Sequence, residues 1–435
     1  MSTGLYWFEH DLRLQDNRAL SQLLQEVEQA HLIYIFQPKW FVLNKFGQCA
    51  MGQHRYQFLR QALDDLQQQL SANGQQLHIY FGEPDAIIMR LHQQYQFTHI
   101  AKHFHTGVHE RNQFERMSSL INDATLFTAN SYTLYDQSDL PMSITDLPDV
   151  FSPFRRKVEK DAKPQAPINQ DLNHLPAPCE SEPDIALDLP EILGSEPNLL
   201  KHNQTVQNLI GGETQARAQM HYYTFETQGL STYKETRNGL EGWDFSSKLS
   251  PWLAAGCISA RQVAAWITEY ESKHGANDST YWLFFELLWR EFYQWQQYKY
   301  GHHMYQHTGI QQHTPTGSHQ PKHFADWCNG TTDYPIINAC MRQLKYTGFM
   351  SNRGRQLVAS CFVHELGLDW QYGAAYFEQM LIDFDPASNW GNWQYLAGVG
   401  SDPRGLRRFN LSKQTQTYDP NGEFVAYWSN YAGQQ

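Results

Sequence analysis

Two short segments near the C-terminal end of the chain place charged, amide and indole side chains beside apolar runs. They are Thr347-Gly-Phe-Met-Ser-Asn-Arg-Gly-Arg355 and Asp383-Phe-Asp-Pro-Ala-Ser-Asn-Trp-Gly-Asn-Trp393. Such side chains are rarely buried unless they are paired or bind something polar. Asn352 and Arg355 are three residues apart and can face one site together. The residues alone favour a buried Arg–Asp pair that closes the core, with a polar cofactor as the alternative.

A serine-rich segment, Ser246-Ser-Lys-Leu-Ser-Pro-Trp-Leu-Ala-Ala-Gly256, offers hydroxyl groups and one cation. Pro251 after Ser250 predicts a helix that Ser250 caps and Pro251 begins. The free N–H groups at such a helix start suit a phosphate. A plain serine-capped helix explains the segment equally well.

A third pattern lies on a predicted helix, where Glu286, Trp289, Arg290 and Tyr293 fall at i, i+3, i+4 and i+7. Residues at this spacing share one face of a helix, and Glu, Trp and Arg together are unusual for a core. An intrahelical ion pair with a flanking aromatic ring is the plain alternative. An indole plate could instead stack on a nucleobase, which stabilises binding by about 1–3 kcal/mol per base.

Composition sets the class of protein. The chain has 435 residues, 41% hydrophobic and 18% charged, which predicts a globular protein of two or three domains. Its net charge of -12 argues against a general nucleic-acid coat protein but not against a local basic groove. Aromatic residues make up 14%, which composition alone explains by a large aromatic core.

Cysteine usage and hydropathy indicate the compartment. The six cysteines are scattered without a C-x-x-C pair, so we expect no disulfide framework and no metal site, as in a reducing cytosol. The N-terminus does not resemble a signal peptide, and no apolar run approaches membrane-spanning length. We therefore expect a cytoplasmic protein without a membrane partner.

The first 128 residues alternate short apolar runs with amphipathic stretches such as Arg55–Leu70, which predicts a parallel sheet wrapped by helices. The predicted strands are Leu5–Phe8, Leu32–Phe36, Leu77–Phe81, Thr98–Lys102 and Thr125–Thr128. Residues 129–199 are predicted to be an interdomain linker, because the stretch from Lys163 to Leu199 is rich in proline and acidic residues.

Helical periodicity dominates residues 200–435, which predicts an all-α domain. The predicted helices are Thr205–Met220, Ala260–His274, Thr280–Tyr300, Ile336–Lys345, Gly354–Glu365 and Gly373–Asp383. Six histidines lie between His302 and His323. A metal site is conceivable there, but a polar loop is favoured because the spacings match no ligand signature.

Together these motifs resemble the photolyase/cryptochrome family over nearly the whole chain, and the motif sequences are most similar to those of the DASH cryptochromes. The resemblance implies a Rossmann-like parallel-sheet domain joined by a long linker to a helical domain that binds FAD. The residues that it assigns to the flavin are Tyr233, Ser246, Ser247, Lys248, Leu249, Ser250, Glu286, Arg290, Asn352, Arg355, Asp383, Asp385 and Asn389. Ser246 stands where the family usually carries Thr.

Within that resemblance, Glu286, Trp289 and Asn389 have the catalytic roles: Glu286 contacts the lesion bases, Trp289 stacks on them, and Asn389 lies opposite flavin N5. Gln356 and Tyr395 replace the Met and Trp of classical photolyases, which is typical of DASH cryptochromes acting on single-stranded DNA. The phosphate-contact candidates by position are Arg407 and Arg408.

Two features of the family match this chain less completely. Glu110 and Glu159 match positions that bind a folate antenna, 5,10-methenyltetrahydrofolate, in related proteins. Trp393 and Trp370 match the inner two members of an electron-transfer chain, but the outermost position, near Gly317–His319, has no Trp. An aromatic such as Tyr305, Tyr334 or Trp327 could replace it. Core packing is the plain alternative for both inner tryptophans.

These matches predict a monomeric, light-driven, FAD-dependent photolyase that repairs cyclobutane pyrimidine dimers in single-stranded DNA, with RNA and looped duplex as other possible partners. A blue-light photoreceptor without repair is the first alternative. A nucleic-acid-binding or redox flavoprotein is the second. The cofactor carries the hard chemistry in each case, and the protein positions and tunes it.

Overall fold

The apolar runs of the first half form a parallel sheet. The computed structural model describes residues 2–172, 174–179, 208–402 and 408–431. The strands are β1 Thr3–Phe8, β2 Gln29–Phe36, β3 Leu77–Phe81, β4 His99–His103, β5 Thr125–Ala129 and the short β6 Ala177–Pro178. The order is β3-β2-β1-β4-β5, and every pairing is parallel. All five predicted strands are confirmed, with bounds that differ by a few residues.

Helices cover this sheet, because parallel strands need long crossover connections. They are α1 Arg18–Glu26, α2 Gln53–Ala72, α3 Pro84–Tyr95 and α4 Val108–Leu120. The strand order reverses between β1 and β4. Open α/β sheets usually bind ligands at the carboxyl ends of the strands at such a point.

The chain from 129 to 179 departs from the predicted surface linker. It contains the helix α5 Phe151–Asp161, whose Phe151, Phe154 and Val158 are buried. Strand β6 pairs with β2 at the edge of the sheet. This segment therefore does not run freely over the surface: Phe151 and Phe154 pack against Trp289 and Phe292 of the helical half, while β6 adds to the sheet. Residues 180–199 of the predicted linker lie outside the described residues.

The second half is helical, as predicted. Its helices are α6 Glu213–His221, α7 Tyr233–Thr236, α8 Ser250–Ala255, α9 Ala260–His274, α10 Asp278–Tyr300, α11 Pro321–Asn329, α12 Pro335–Thr347, α13 Asn352–Ser360, α14 Trp370–Met380, α15 Pro386–Ala397, α16 Leu411–Tyr418 and α17 Glu423–Tyr431. Ser259 and Asn277 form capping boxes at the start of α9 and α10. The start of the predicted helix Thr205–Met220 lies outside the described residues.

The two halves share one core and a buried polar interface. Apolar residues of the sheet and of α10 belong to the same cluster. Asp16 accepts hydrogen bonds from the Ser259 hydroxyl at 2.6 Å and the Arg261 Nε at 3.2 Å, and all three residues are buried. Gly256 has φ +72°, and a Cβ there would lie 1.9 Å from the His10 carbonyl oxygen. A glycine is therefore needed where the two domains meet.

Within the described residues, no helix is both long enough and apolar enough to cross a membrane.

Candidate functional site

One cavity of about 510 Å³ gathers most of the residues that the sequence predicts to be functional. Its walls come from α7, the loop before α8, α10, α13 and α15. The predicted residues that line it are Tyr233, Ser246, Ser247, Lys248, Leu249, Ser250, Glu286, Trp289, Arg290, Asn352, Arg355, Gln356, Asp383, Asp385, Asn389, Trp393 and Tyr395. The tertiary structure thus brings three separate sequence motifs to a single site.

The serine-rich loop supplies a buried cation at one end of the cavity. Lys248 is only 7% exposed, has φ +56°, and its ammonium donates to the Ser246 hydroxyl at 3.2 Å. Burial lowers the pKa of Lys248 to about 8, while Glu241 and Asp244 act in the opposite direction. A phosphate group beside this lysine would stabilise its charged form, because the two groups carry opposite charges.

The predicted cap of α8 is wrong by one residue. The helix begins at Ser250 itself, Leu249 occupies the cap position, and no side chain caps it. The reason is local: Lys248 adopts a left-handed conformation, which turns the chain into the helix before Ser250. Ser250 still lines the cavity, so its predicted place at the site does not depend on capping.

An arginine–aspartate pair forms part of another wall of the cavity. The Arg355 guanidinium donates to Asp383 Oδ2 at 2.7 Å, and the Asp383 side chain is 1% exposed. Among the described residues, Asp383 Oδ1 and Gln356 Oε1 are buried without a hydrogen-bond partner. Buried polar atoms are normally satisfied, so two such atoms in the wall of one cavity indicate a polar ligand there.

Asp385 is held by residues from both domains. Its Oδ2 accepts hydrogen bonds from the Tyr132 hydroxyl at 2.6 Å and the Gln294 amide at 2.8 Å. Its Oδ1 accepts from the Ser388 backbone N–H and so caps α15. Burial alone would raise the pKa of Asp385, but the nearby Arg290 and these hydrogen bonds lower it. Asp385 is therefore a carboxylate whose orientation is held by these hydrogen bonds.

Asn389 and Trp393 follow on the same helix. The Asn389 amide donates to the Ala374 carbonyl at 3.0 Å, which fixes the orientation of the side chain that lines the cavity. Trp393 packs against Phe377 with ring centroids 5.2 Å apart and against Trp327 at 6.2 Å. The cavity wall is therefore connected to a cluster of buried rings.

Trp370 lies behind the cavity rather than in its lining. Its ring centroid is 5.7 Å from that of Trp390, which is 5.4 Å from that of Tyr305. Tyr305 in turn contacts the exposed His109 at 5.5 Å. Of the three proposed replacements for the missing tryptophan, Tyr305 thus continues a row of rings toward solvent, whereas Trp327 is completely buried.

The helix face predicted on α10 is confirmed, because Glu286, Trp289, Arg290 and Tyr293 all line the cavity. Glu286 Oε1 forms an ion pair with the Arg237 guanidinium at 2.6 Å. Burial raises the pKa of Glu286, and Arg237 opposes that rise. Arg237, which also lines the cavity, was not among the residues predicted from the sequence, although it lies only four residues after Tyr233.

Trp289 forms one side of an aromatic corner. Phe151 from α5 stacks on one of its faces, with centroids 3.7 Å apart and planes 12° apart. The Tyr395 ring stands at 86° to Trp289 at 6.4 Å. Two perpendicular rings present apolar surfaces to a planar group. Phe151 was missed because α5 gave no signal for packing on α10.

The predicted antenna residues do not come together. Glu110 contacts His105 near the carboxyl end of β4, with a distance of 3.5 Å between Glu110 Oε2 and His105 Nδ1, and the next residue, Arg111, packs on Tyr298. Glu159 accepts a hydrogen bond from Tyr281 at 2.6 Å. Tyr281 and Tyr298 lie near opposite ends of α10, about 25 Å apart at 1.5 Å per residue. The two glutamates therefore belong to different places in the fold.

Of the two predicted phosphate contacts, Arg408 does not line the cavity. Arg408 is exposed and forms a two-pronged ion pair with Glu365, at 2.8 and 2.7 Å. Its charge is thus already partly balanced. Arg407 lies outside the described residues. In the histidine-rich segment and the rest of the described chain, no group of His, Cys, Asp and Glu converges to hold a metal ion.

Comparison with known proteins agrees with this fold and cavity. Residues 4–177 match the family model described as DNA photolyase, and residues 282–431 match the FAD binding domain of DNA photolyase. The parallel-sheet domain and the helical domain around one cavity thus define a photolyase-type flavoprotein.

Curated relatives cover almost the whole chain. A protein named Cryptochrome DASH from Idiomarina loihiensis is 43% identical over 98% of this chain and 92% of its own length. Another from Synechocystis sp. is 38% identical over 98% of this chain and 87% of its own length. The chain therefore belongs to the photolyase/cryptochrome family, in the group of proteins named cryptochrome DASH.

Solved structures support the same assignment. The crystal structure of a Synechocystis sp. cryptochrome has a TM-score of 0.92 at 37% identity, covering 98% of this chain and 88% of that one. A class III photolyase from Agrobacterium tumefaciens has a TM-score of 0.85 at 27% identity, covering 98% and 86%.

FAD is the cofactor of this family, and the cavity fits it. The buried Lys248 with its neighbouring serines suits a diphosphate, and the Arg355–Asp383 pair with unpartnered polar atoms suits the polar edge of a flavin.

Proposed function

We propose that this protein uses FAD and light to split cyclobutane pyrimidine dimers in single-stranded DNA, as a deoxyribodipyrimidine photo-lyase. One observation carries the proposal. The rings of Trp289 and Tyr395 form a right-angled corner in the wall of the same cavity that holds the flavin-binding residues. The two pyrimidines of a dimer, puckered at their saturated C5 and C6 atoms, still present ring faces that such a corner can contact beside a cofactor.

The chain's own residues would perform the positioning. When bound in its reduced form, FAD would supply the light-driven one-electron chemistry of the reaction. Trp289, backed by Phe151, provides a rigid stacking face that excludes water. Glu286, oriented by Arg237, presents carboxylate oxygens to the pyrimidine edges. The raised pKa of Glu286 also makes its protonated form, a hydrogen-bond donor, more accessible.

The preference for single strands has a physical basis in Tyr395 and Gln356. Extruding a base from duplex costs a few kcal/mol, which contacts inside the pocket must offset. Tyr395 presents a smaller ring than an indole, and the Gln356 Oε1 needs a partner of its own. A pocket of this kind favours substrates whose bases are already unpaired.

Electrons to restore the reduced cofactor would enter through Tyr305. The rings of Trp370, Trp390 and Tyr305 follow one another at 5.7 and 5.4 Å. A one-electron donor in solution, such as a thiol, would supply Tyr305.

The test is light-dependent repair of a defined thymine dimer in a single-stranded oligonucleotide and in the matching duplex. We expect repair of the single strand at a much higher rate. A Trp289→Ala variant that keeps its flavin should lose most of that rate, whereas Tyr427→Ala should not. Equal rates on both substrates would contradict the strand preference. No repair of either would favour a photoreceptor that uses the same flavin.

A further inference from the structure

Helix α10 carries a row of rings from solvent into the cavity. Tyr281, Phe285 and Trp289 are spaced four residues apart and therefore lie along one face, about 6 Å apart along the helix axis. Tyr281 is 39% exposed, Phe285 lines the cavity together with Trp289, and the Tyr281 and Phe285 rings are 6.2 Å apart. The row thus extends the aromatic corner outward past the cavity mouth.

The outermost ring is held in place from α5. The Tyr281 hydroxyl donates to Glu159 at 2.6 Å and accepts from the Arg155 guanidinium at 3.2 Å. Arg155 also lies over the Phe285 ring at 5.4 Å. Exposed cations, Arg156, Lys157 and Lys160, follow on the same helix. An exposed tyrosine fixed by two hydrogen bonds loses little conformational freedom when a planar group stacks on it.

A second ring widens this surface. Trp282 packs on Phe285 with centroids 5.0 Å apart. The Lys234 ammonium lies 5.1 Å from the Trp282 centroid and also pairs with Asp278 at 2.7 Å. Cations interleaved with rings are thus present on both sides of Phe285, although the chain as a whole carries a net charge of -12. Each of the two cations also has a carboxylate neighbour, since Arg155 lies 3.6 Å from Glu159 and Lys234 lies 2.7 Å from Asp278.

We propose that Tyr281, Trp282 and Phe285, with Arg155 and Lys234, form a stacking rim that binds the unpaired nucleotides next to the one in the cavity. Bases would stack on the ring faces, and the cations would contact phosphates, as in sequence-independent single-strand binding. A duplex cannot use these faces, since its bases already stack on one another. This inference rests on the proposed function, because it takes single-stranded DNA as the ligand. It concerns nucleotides that carry no lesion.

The experiment measures binding in the dark, without a lesion. The flavin-loaded protein is titrated against a fluorescent oligothymidylate, and anisotropy gives the dissociation constant. Stacking worth about 1–3 kcal/mol per base predicts that Tyr281→Ala weakens binding at least about fivefold. Tyr281→Phe and Tyr281→Trp keep a ring and should remain within about twofold of the native protein. Flavin content and circular dichroism establish that each variant is folded.

A matched control variant and a second substrate make the result decisive. Tyr427 is 38% exposed and lies outside the cavity lining, so Tyr427→Ala should bind like the native protein. Binding of a duplex of the same length should not respond to Tyr281→Ala. Native-like single-strand binding by Tyr281→Ala, or an equal loss on duplex, would overturn the stacking rim. Repair of dimers is measured separately, so absence of repair refutes the proposed function without deciding the rim.

Discussion

The protonation of Lys248 offers a quantitative test of the diphosphate site. Its ammonium is buried beside Ser246, and burial lowers the pKa of the lysine to about 8. The charged form therefore predominates below that pH and disappears above it. Because a diphosphate needs the cation, FAD affinity of the apoprotein should be full near pH 7 and fall as the pH rises.

The size of this change in FAD affinity follows from the pKa of Lys248. A group with a pKa of about 8 is about 90% protonated at pH 7 and about 10% protonated at pH 9. If only the protonated lysine binds the diphosphate, the dissociation constant of FAD should rise about tenfold between these two values. Glu241 and Asp244, the acidic groups that act on Lys248, oppose the effect of burial without reversing it.

The assay is titration of apoprotein with FAD, followed by flavin fluorescence at pH 7, 8 and 9. Lys248→Arg keeps its charge across the range, so its affinity should be independent of pH. Lys248→Met should be weaker and equally independent of pH. A native dissociation constant that stays constant, or a Lys248→Met variant with the native slope, would refute a role for this ammonium.

Three further outcomes can be checked. Arg355→Ala leaves the buried Asp383 carboxylate unpaired and should lower the free energy of unfolding in urea by about 3 kcal/mol. The double variant Arg355→Ala/Asp383→Ala should purify largely without flavin. Full flavin content in that double variant would contradict the assignment of this pair to the flavin site. Tyr305→Phe should slow reduction of the bound flavin in blue light with a thiol donor, and unchanged kinetics would exclude this exit. Gly256→Ala should destabilise the protein by at least about 2 kcal/mol more than Gly275→Ala, since both have positive φ but only the former meets a backbone oxygen. Equal melting temperatures would show that the interface adjusts.

Several parts of the site were predictable because they depend on short-range periodicity. The shared face of Glu286, Trp289 and Arg290 follows from 3.6 residues per turn, and the structure confirms it. The five strands followed from apolar runs bounded by polar segments. The segment 129–179 was harder, because its structure depends on contacts between distant residues: Phe154 packs on Phe292, and β6 pairs with β2 across almost 150 residues.

Other parts have no local signal at all. Tyr132 and Asp385 are 253 residues apart in sequence, yet their side chains share a 2.6 Å hydrogen bond. Phe151 and Trp289 stack at 3.7 Å although they come from different halves of the chain. No local signal indicated that Glu110 and Glu159 lie near opposite ends of α10 either. Only the packing of the two domains decides which distant side chains meet.

The amino-acid sequence by itself therefore determined the main strands and helices, the family and most of the polar groups that line the cavity. Residue type and spacing decide these, because helix and strand periods and the chemistry of Lys248, Arg355 and Asp383 are local properties. Tertiary structure alone decided which face of Trp289 is covered, which carboxylate has a partner, and where a row of rings reaches solvent. These depend on burial, since the partners of a side chain and its pKa are set by whatever the fold packs against it.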